Sequence, residues 1–275
     1  MRLPDTWLDP AARTFYRRVM QQFQDSGIPF LVGGAYAFER YTGIARHTKD
    51  FDVFLHPRDV ERGLAALGAG GCTTETTFPH WLAKACWGED VVDIIFSSGN
   101  GVALVDDDWF RHGVPEIVLD VPVRLIAAED MIWSKAFVME RERYDGADVA
   151  HVLRACADTL DWPRLLQRFG DHWRVLLHHL VMFGFVYPSE RARVPAAVIR
   201  ELMGRLDTEL TRSASERVCQ GTLISRAQYL VDVEHWGYSD PRLAPRGNLT
   251  SEERARWTAA IADDGPGRVP LPAAS

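Results

Sequence analysis

The stretch of sequence that decides the fold is FLVGGAYAFERYTGIARHTKDFDVFL, residues 30–55. The apolar run IPFLV predicts a short buried strand, and the glycine pair Gly33-Gly34 directly after it predicts a sharp turn. A short helix is expected over 35–41 and a second strand over 51–55. The stretch therefore predicts two strands that are linked by a glycine turn and a helix.

Two features of this stretch indicate a site for a charged ligand. Glycine at Gly33 and Gly34 lets a phosphate approach the backbone closely, and the start of the next helix favours an anion. Asp50 and Asp52 stand two residues apart at the start of a strand, so both carboxylates lie on one face. Such carboxylates repel each other unless a proton or a cation lies between them. Mg²⁺ prefers oxygen ligands and often binds between carboxylates and nucleotide phosphates.

A third carboxylate occurs in a later apolar run, VVDIIF, where Asp93 is the one charged residue. Burying it is costly unless it is paired or bound to a metal. Three carboxylates on neighbouring strands beside a glycine turn are typical of metal-assisted phosphoryl or nucleotidyl transfer. The alternatives are a simple tight turn at the glycines, a solvated strand edge at the first two aspartates, and an ion pair at Asp93.

The remaining chain divides into a mixed half and a helical half. Helices are predicted over 10–24 and 58–67, and strands over 72–77, 82–87, 91–96 and, interrupted at Pro122, 117–126. Helices alone are predicted after residue 127, over 129–143, 147–157, 162–169, 173–183 and 195–206. We therefore predict a core domain over 1–126, a helical domain over 127–262 and a flexible tail over 263–275.

Composition narrows the class of protein. The 275 residues are 47 % hydrophobic and 25 % charged, which excludes a disordered or fibrous chain. A net charge of -7 argues against a protein whose whole surface is basic and binds nucleic acid. No apolar run approaches the roughly 20 residues that span a bilayer, and no signal peptide is visible. Four scattered cysteines without a C-x-x-C motif make a reducing cytoplasm the expected compartment.

The ordered set of motifs resembles the DNA polymerase β-type nucleotidyltransferases. Their signature is a pair of small residues, a spacer, Asp-hydrophobic-Asp and a later Asp, which Gly33-Gly34, Asp50, Asp52 and Asp93 match in order. The stretch VGGAYAFERYTGIARHTKDFDV is especially similar to the aminoglycoside- and lincosamide-type adenylyltransferases. The resemblance implies an α+β nucleotidyltransferase fold, a small mixed β-sheet flanked by helices and followed by an α-helical domain.

A later segment, AEDMIWSKAFVMERERYDGADVAHVL, resembles the helix pair that follows the core in abortive-infection toxin nucleotidyltransferases. In those toxins a lysine and a later Asp motif complete the site, and Lys135 and Asp148 are the matching positions. His151 stands where that family usually has a second Asp. From the residues alone, Lys135 fits a surface lysine equally well, and Asp148 fits an acid that favours a helix N-terminus.

The resemblance implies a Mg²⁺-dependent transfer of a nucleoside monophosphate from an NTP to an acceptor, with release of pyrophosphate. It assigns catalysis and metal binding to Asp50, Asp52 and Asp93, and binding of the nucleotide, such as ATP, to Gly33, Gly34 and Lys135. Thr48 is a further candidate for nucleotide binding from the residues alone: it belongs to the run 46–49 before Asp50, whose side chains either donate to phosphates or cap a loop. A small-molecule acceptor is favoured over RNA because the chain is acidic.

Two alternatives stay open at this point. One is a toxin-like enzyme that acts on tRNA through a surface of arginines, Arg143, Arg154, Arg164, Arg168 and Arg174. The other is a non-catalytic nucleotide-binding scaffold of the same fold. Two further clusters favour structural roles. His178-His179 predicts a packed helical face rather than a metal site, and the acidic run 106–108 predicts a helix cap or turn.

Overall fold

A computed structural model describes residues 9–45, 50–211 and 216–260. Within them, seven strands form one sheet in the order β3-β4-β5-β2-β1-β7-β6. The strands are β1 Leu31–Val32, β2 Asp50–Phe54, β3 Thr73–Phe78, β4 Leu82–Trp87, β5 Asp90–Ile95, β6 Val114–Val118 and β7 Val121–Leu125. The sheet is mixed, since β2 pairs with β5 in parallel and with β1 antiparallel.

Eleven α-helices accompany the sheet in the described part of the chain. They are α1 Pro10–Asp25, α2 Gly34–Thr42, α3 Val60–Ala69, α4 Asp107–His112, α5 Ala128–Ala136, α6 Gly146–Cys156, α7 Trp162–Phe169, α8 Trp173–Val186, α9 Ala196–Leu210, α10 Leu230–Glu234 and α11 Ser251–Ala259. The predicted α+β class, with a mixed sheet followed by helices, is confirmed. None of these helices is long and apolar enough to cross a membrane.

One face of the central strands is closed by helix α1. Phe51, Val53, Val92 and Ile94 on this face are fully buried. The ring of Tyr16 in α1 stacks on Phe51, with ring centroids 4.9 Å apart. Because successive side chains of a strand alternate between faces, the residues between these apolar positions point to the opposite face. Asp50 and Asp52 of β2 and Asp93 of β5 therefore lie on the same side of the sheet.

Two local predictions are wrong. The interruption predicted at Pro122 lies instead at Leu119 and Asp120, whose φ angles of 48° and 64° fit a tight hairpin turn, while Pro122 pairs with Ile117 inside the ladder. The helix predicted over 129–143 ends at Ala136.

Residues 137–145 form a loop in place of the last turns of that helix. The loop is closed by a β-bridge between Met139 and Tyr144 and by a bond from the backbone N–H of Glu140 to the carbonyl of Arg143. The run ERERYD has no apolar residue at helical spacing that packing could bury. A helix there would gain little from tertiary contacts.

The sheet and the later helices share one continuous apolar core. All described strands lie between residues 31 and 125, and α5 begins at Ala128. An ion pair joins the two halves: Nε of Arg164 in α7 lies 3.0 Å from Asp108 in α4, and Nη2 of the same guanidinium lies 2.7 Å from buried Asp130 in α5, within the helical half. The boundaries 1–126 and 127–262 stay a prediction, and the tail 263–275 lies outside the described residues.

Candidate active site

A row of charged side chains crosses four neighbouring strands on the polar face of the sheet. The strand registers set Asp52 of β2 beside Asp93 of β5, Asp93 beside Lys84 of β4, and Lys84 beside Glu75 of β3. Residues that share a register position lie on the same face. Asp50, two residues before Asp52, lies on that face as well. The three aspartates predicted from the sequence are therefore brought together.

Asp52 is the member of this row whose ionisation is most disfavoured. Burial raises its pKa to about 6, and the neighbouring carboxylates of Asp93 and Asp50 act in the same direction. Lys135 and Arg143 oppose this shift, which shows that both cations lie within electrostatic range of the carboxylate. Asp52 is thus a partly buried anion with like charges beside it, an arrangement that a bound cation would stabilise.

The raised pKa makes a prediction about stability. An aspartate that ionises near pH 3.8 when unfolded and near 6 when folded binds its proton more tightly in the folded state, so stability falls as the pH rises from about 4 to about 6. Above that window the penalty is constant. Asp52→Asn is therefore expected to raise the free energy of unfolding by about 3 kcal/mol at pH 8, with a smaller gain at pH 4. Urea unfolding of both proteins at the two pH values measures this. An equal effect at both values would contradict it.

The glycine pair supplies the space that this site needs. Gly34 begins α2 at a φ of 53°, and a Cβ atom there would stand 2.6 Å from Cγ of Asp52, far inside van der Waals contact. A Cβ on Gly33 would stand 2.9 Å from Cδ2 of Phe54. The two glycines therefore let the start of α2 lie against β2. The backbone N–H groups at that helix start and the Asp52 carboxylate border the same space.

Lys84 is a site residue that the sequence analysis missed. Its ammonium group donates a 2.7 Å hydrogen bond to Oδ1 of Asp93. Burial raises the pKa of Asp93, and the bond from Lys84 lowers it only in part. The sequence signal for this pair is the register of the β4–β5 hairpin. A two-residue turn sets Trp87 opposite Asp90, and three residue pairs farther from the turn Lys84 stands opposite Asp93.

A second group of charges, on α5, α6 and the loop between them, lies near the aspartates. Lys135 Nζ is 3.1 Å from Oδ2 of Asp145 and 2.8 Å from Oδ2 of Asp148. Arg143 donates to Asp145 through Nε at 2.9 Å and Nη2 at 2.8 Å. Burial alone would raise the pKa of Asp145, but these two cations hold it below its usual value.

This group of charges changes the interpretation of the lysine and aspartate motif in the segment over α5 and α6. The structure brings Lys135 and Asp148 together, as their matching positions imply. Asp145, three residues earlier, is the second carboxylate beside them, whereas His151 packs edge-on against Phe38 with ring centroids 6.2 Å apart. The spacing of Asp145 and Asp148 at a helix start was the available signal.

Three further predictions concern Thr48, the acidic run 106–108 and the histidine pair 178–179. Thr48 lies outside the described residues, as do its neighbours in 46–49. Asp106 caps α4 by accepting bonds from the backbone N–H groups of Asp108 and Trp109, the capping role expected for the acidic run. The carbonyl of Ala136 accepts a bond from Nε2 of buried His179, which packs in the helical core.

The carboxylates of the candidate site are oxygen donors of the kind that Mg²⁺ prefers. Among the described residues, no group of three or more His, Cys, Asp or Glu side chains forms a complete metal centre. Mg²⁺ at nucleotide sites usually takes only one or two protein carboxylates and completes its shell with phosphate oxygens and water. Asp50 and Asp52, two carboxylates on one face of one strand, fit that requirement. Oδ1 of Asp93 accepts the bond from Lys84. The metal roles of all three stay predictions.

Comparison with known proteins gives a likeness of fold. No family model and no curated protein matches the chain. The solution structure of the antibiotic-resistance factor ANT(2″)-Ia has a TM-score of 0.44 and 17 % identity, over 62 % of this chain and 98 % of that chain. The lincomycin-bound lincosamide antibiotic adenylyltransferase LnuA has a TM-score of 0.37 and 15 % identity, over 51 % and 94 % of the respective chains. A tRNA-processing enzyme has a TM-score of 0.32 and 14 % identity, over 82 % and 70 %. The assignment of chemistry therefore depends on the residues of the site.

Proposed function

We propose that this protein is a nucleotidyltransferase that transfers a nucleoside monophosphate from an NTP to an acceptor hydroxyl and releases pyrophosphate. The observation that carries the proposal is the placement of Asp52 between Asp50 and Asp93 on one sheet face, directly against the start of α2 at Gly34. Carboxylates for a metal and backbone N–H groups for phosphates border one space, which is the combination a metal-bound triphosphate needs.

In the proposed reaction, Asp50 and Asp52 would hold Mg²⁺, which would supply charge neutralisation on the triphosphate. At the Gly33-Gly34 turn, the backbone N–H of Gly34 binds a phosphate oxygen, while Gly33, whose own N–H donates to the carbonyl of Asp52, gives the close approach. Lys135, held in place by Asp145 and Asp148, donates to the phosphates as a point charge. Asp93 accepts the proton of the acceptor hydroxyl, and its raised pKa makes it a stronger base than an ordinary carboxylate. The acceptor oxygen forms a bond to the α-phosphorus, and the bond from that phosphorus to pyrophosphate breaks.

Ion pairing of the arginines supports a small-molecule acceptor over tRNA. Arg164 and Arg168 are almost fully buried and pair with acidic residues. Arg154 binds Glu190 at 2.9 Å, and Arg174 pairs with Glu209. These four arginines and Arg143, which pairs with Asp145 at 2.8 Å, are the five candidates for a tRNA-binding surface. Because their charges are compensated inside the chain, they attract phosphates less strongly than free arginines would.

A labelled-nucleotide transfer assay tests the proposal. The protein is incubated with Mg²⁺ and each NTP labelled at the α-phosphorus, together with either a panel of hydroxylated small molecules or bulk tRNA. Label on a small molecule, absent with Asp52→Asn, is the expected result. Label on tRNA would establish the RNA alternative. Metal-dependent NTP binding without transfer to any acceptor would favour the non-catalytic scaffold.

Lys135→Met is expected to weaken binding of the Mg²⁺–NTP complex by about tenfold, because a charge-assisted bond to the triphosphate is lost. Isothermal titration calorimetry measures the dissociation constant. Arg205→Met removes one positive charge from α9, where Arg205 pairs with Glu201, and serves as the control. Equal weakening by both variants would indicate a general charge effect and would contradict a direct role for Lys135.

A further inference from the structure

The segment over residues 218–226 lies between the sheet and the loop 137–145. On the sheet side, the carbonyl of Leu223 accepts a 2.6 Å bond from the buried side-chain amide of Asn100, which follows β5. On the loop side, the carbonyl of Ile224 accepts a 3.0 Å bond from the backbone N–H of Met139. The segment is therefore hydrogen-bonded both to the residues that follow β5 and to the loop 137–145.

An ion pair strengthens the contact to the loop. Nε of Arg226 donates a 3.0 Å bond to Oε2 of Glu140, and the two side chains are only 20 % and 13 % exposed. The backbone N–H of Glu140 in turn bonds the carbonyl of Arg143 at 2.8 Å. Pairs shielded in this way are screened less by solvent than surface pairs, so they fix geometry more firmly.

The segment is itself anchored in the protein core. Oγ1 of fully buried Thr222 donates a 3.0 Å bond to Asp240, which forms a buried 2.7 Å ion pair with Arg242. Trp257 of α11, which packs against Gly99, also carries the guanidinium of Arg226 over its ring, 5.9 Å from the centroid. Residues 218–226 are thus a fixed element rather than a loose connection.

We infer that residues 218–226 act as a strap that positions the cations of the loop and of α5 over the aspartates, with Glu140 and Arg226 as positioning residues. The strap connects Asn100, in the segment that follows β5 and its Asp93, to the loop 137–145, which carries Arg143 and Asp145. Since Asp145 binds both Arg143 and Lys135, displacement of the loop moves both cations relative to Asp52. This inference rests on the proposed function, because its consequence is weaker binding of the triphosphate.

The test measures separately how firmly the strap fixes the loop 137–145 and how tightly the protein binds an NTP. Arg226→Ala, Glu140→Gln and the charge-reversed pair Glu140→Arg/Arg226→Glu are compared with Arg154→Ala. That control breaks a 2.9 Å ion pair with Glu190 between α6 and a 3₁₀ turn outside the strap. Hydrogen exchange of residues 137–145 is measured by mass spectrometry. The dissociation constant of each of the four NTPs with Mg²⁺ is measured by calorimetry, and thermal stability is recorded for every variant.

The strap predicts faster exchange over 137–145 and about tenfold weaker Mg²⁺–NTP binding in Arg226→Ala and Glu140→Gln. Both properties should return towards the wild-type values in the charge-reversed pair and stay unchanged in Arg154→Ala. An unchanged dissociation constant in Arg226→Ala, an equal loss in Arg154→Ala, or no rescue by the reversed pair would overturn the strap while the proposed function stands. If the wild-type protein binds none of the four NTPs, the proposed function fails, and the strap falls with it.

Discussion

Gly34→Ala is expected to abolish Mg²⁺–NTP binding and to lower the free energy of unfolding by about 3 kcal/mol. The new methyl group would overlap the Asp52 carboxylate while the residue is held at a φ of 53°. Relief requires α2 to move away from β2 or Asp52 to leave its position, and either change removes the space for a triphosphate. Calorimetry with each NTP and urea unfolding measure the two effects.

The chain offers a matched control at the other end of the same helix. Gly43 follows α2 at a φ of 71°, and a Cβ there meets no atom of the described residues within 4 Å. Gly43→Ala therefore carries the backbone strain without the overlap, and we expect a loss of about 1 kcal/mol with NTP binding intact. If the two variants lose NTP binding equally, overlap with Asp52 is not the cause of the loss in Gly34→Ala.

Asp50→Asn and Asp52→Asn are each expected to lower nucleotidyl transfer by a factor on the order of a thousand or more, because a neutral amide is a much poorer ligand for Mg²⁺ than a carboxylate. Binding of Mn²⁺ in the presence of a non-hydrolysable NTP, followed by electron paramagnetic resonance, should be lost in parallel. Misfolding would not explain such a loss in Asp52→Asn, since relief of the buried charge is expected to stabilise that variant.

Asp90→Asn is the control for this pair. Asp90 lies at the start of β5, three residues before Asp93, so it belongs to the opposite face of the sheet. The substitution removes the same charge from the neighbouring strand and is expected to leave Mn²⁺ and NTP binding unchanged. Loss of Mn²⁺ binding in Asp90→Asn, or full Mn²⁺ binding in Asp52→Asn, would contradict the assignment of the metal to Asp50 and Asp52.

The features that the sequence predicted well are those with local signals. A run of apolar residues, two glycines and a pair of aspartates at period two define β1, the start of α2 and β2 without reference to distant contacts. The period also places Asp50 and Asp52 on one face. The strand that carries Asp93 was predicted by its apolar composition, and its parallel pairing with β2 then brings Asp93 beside Asp52.

The features that were missed depend on register or on tertiary contacts. Lys84 becomes a partner of Asp93 only through the register of the β4–β5 hairpin. Asp145 joins Lys135 because α5 stops at Ala136 and the chain turns back, whereas helical spacing alone suggested a continuous helix through 143. The strap residue Arg226 lies 86 residues from Glu140 in sequence, and no local pattern connects them.

The central claim is that Asp50 and Asp52 hold a metal-bound NTP against the start of α2. Titration of the wild-type protein with ATP, GTP, CTP and UTP, with and without Mg²⁺, tests it most directly. We predict that at least one of the four binds, that binding requires the metal, and that it disappears in Asp52→Asn. Failure of a folded, Mg²⁺-saturated protein to bind any of them, or binding that is equally strong without the metal, would contradict the claim.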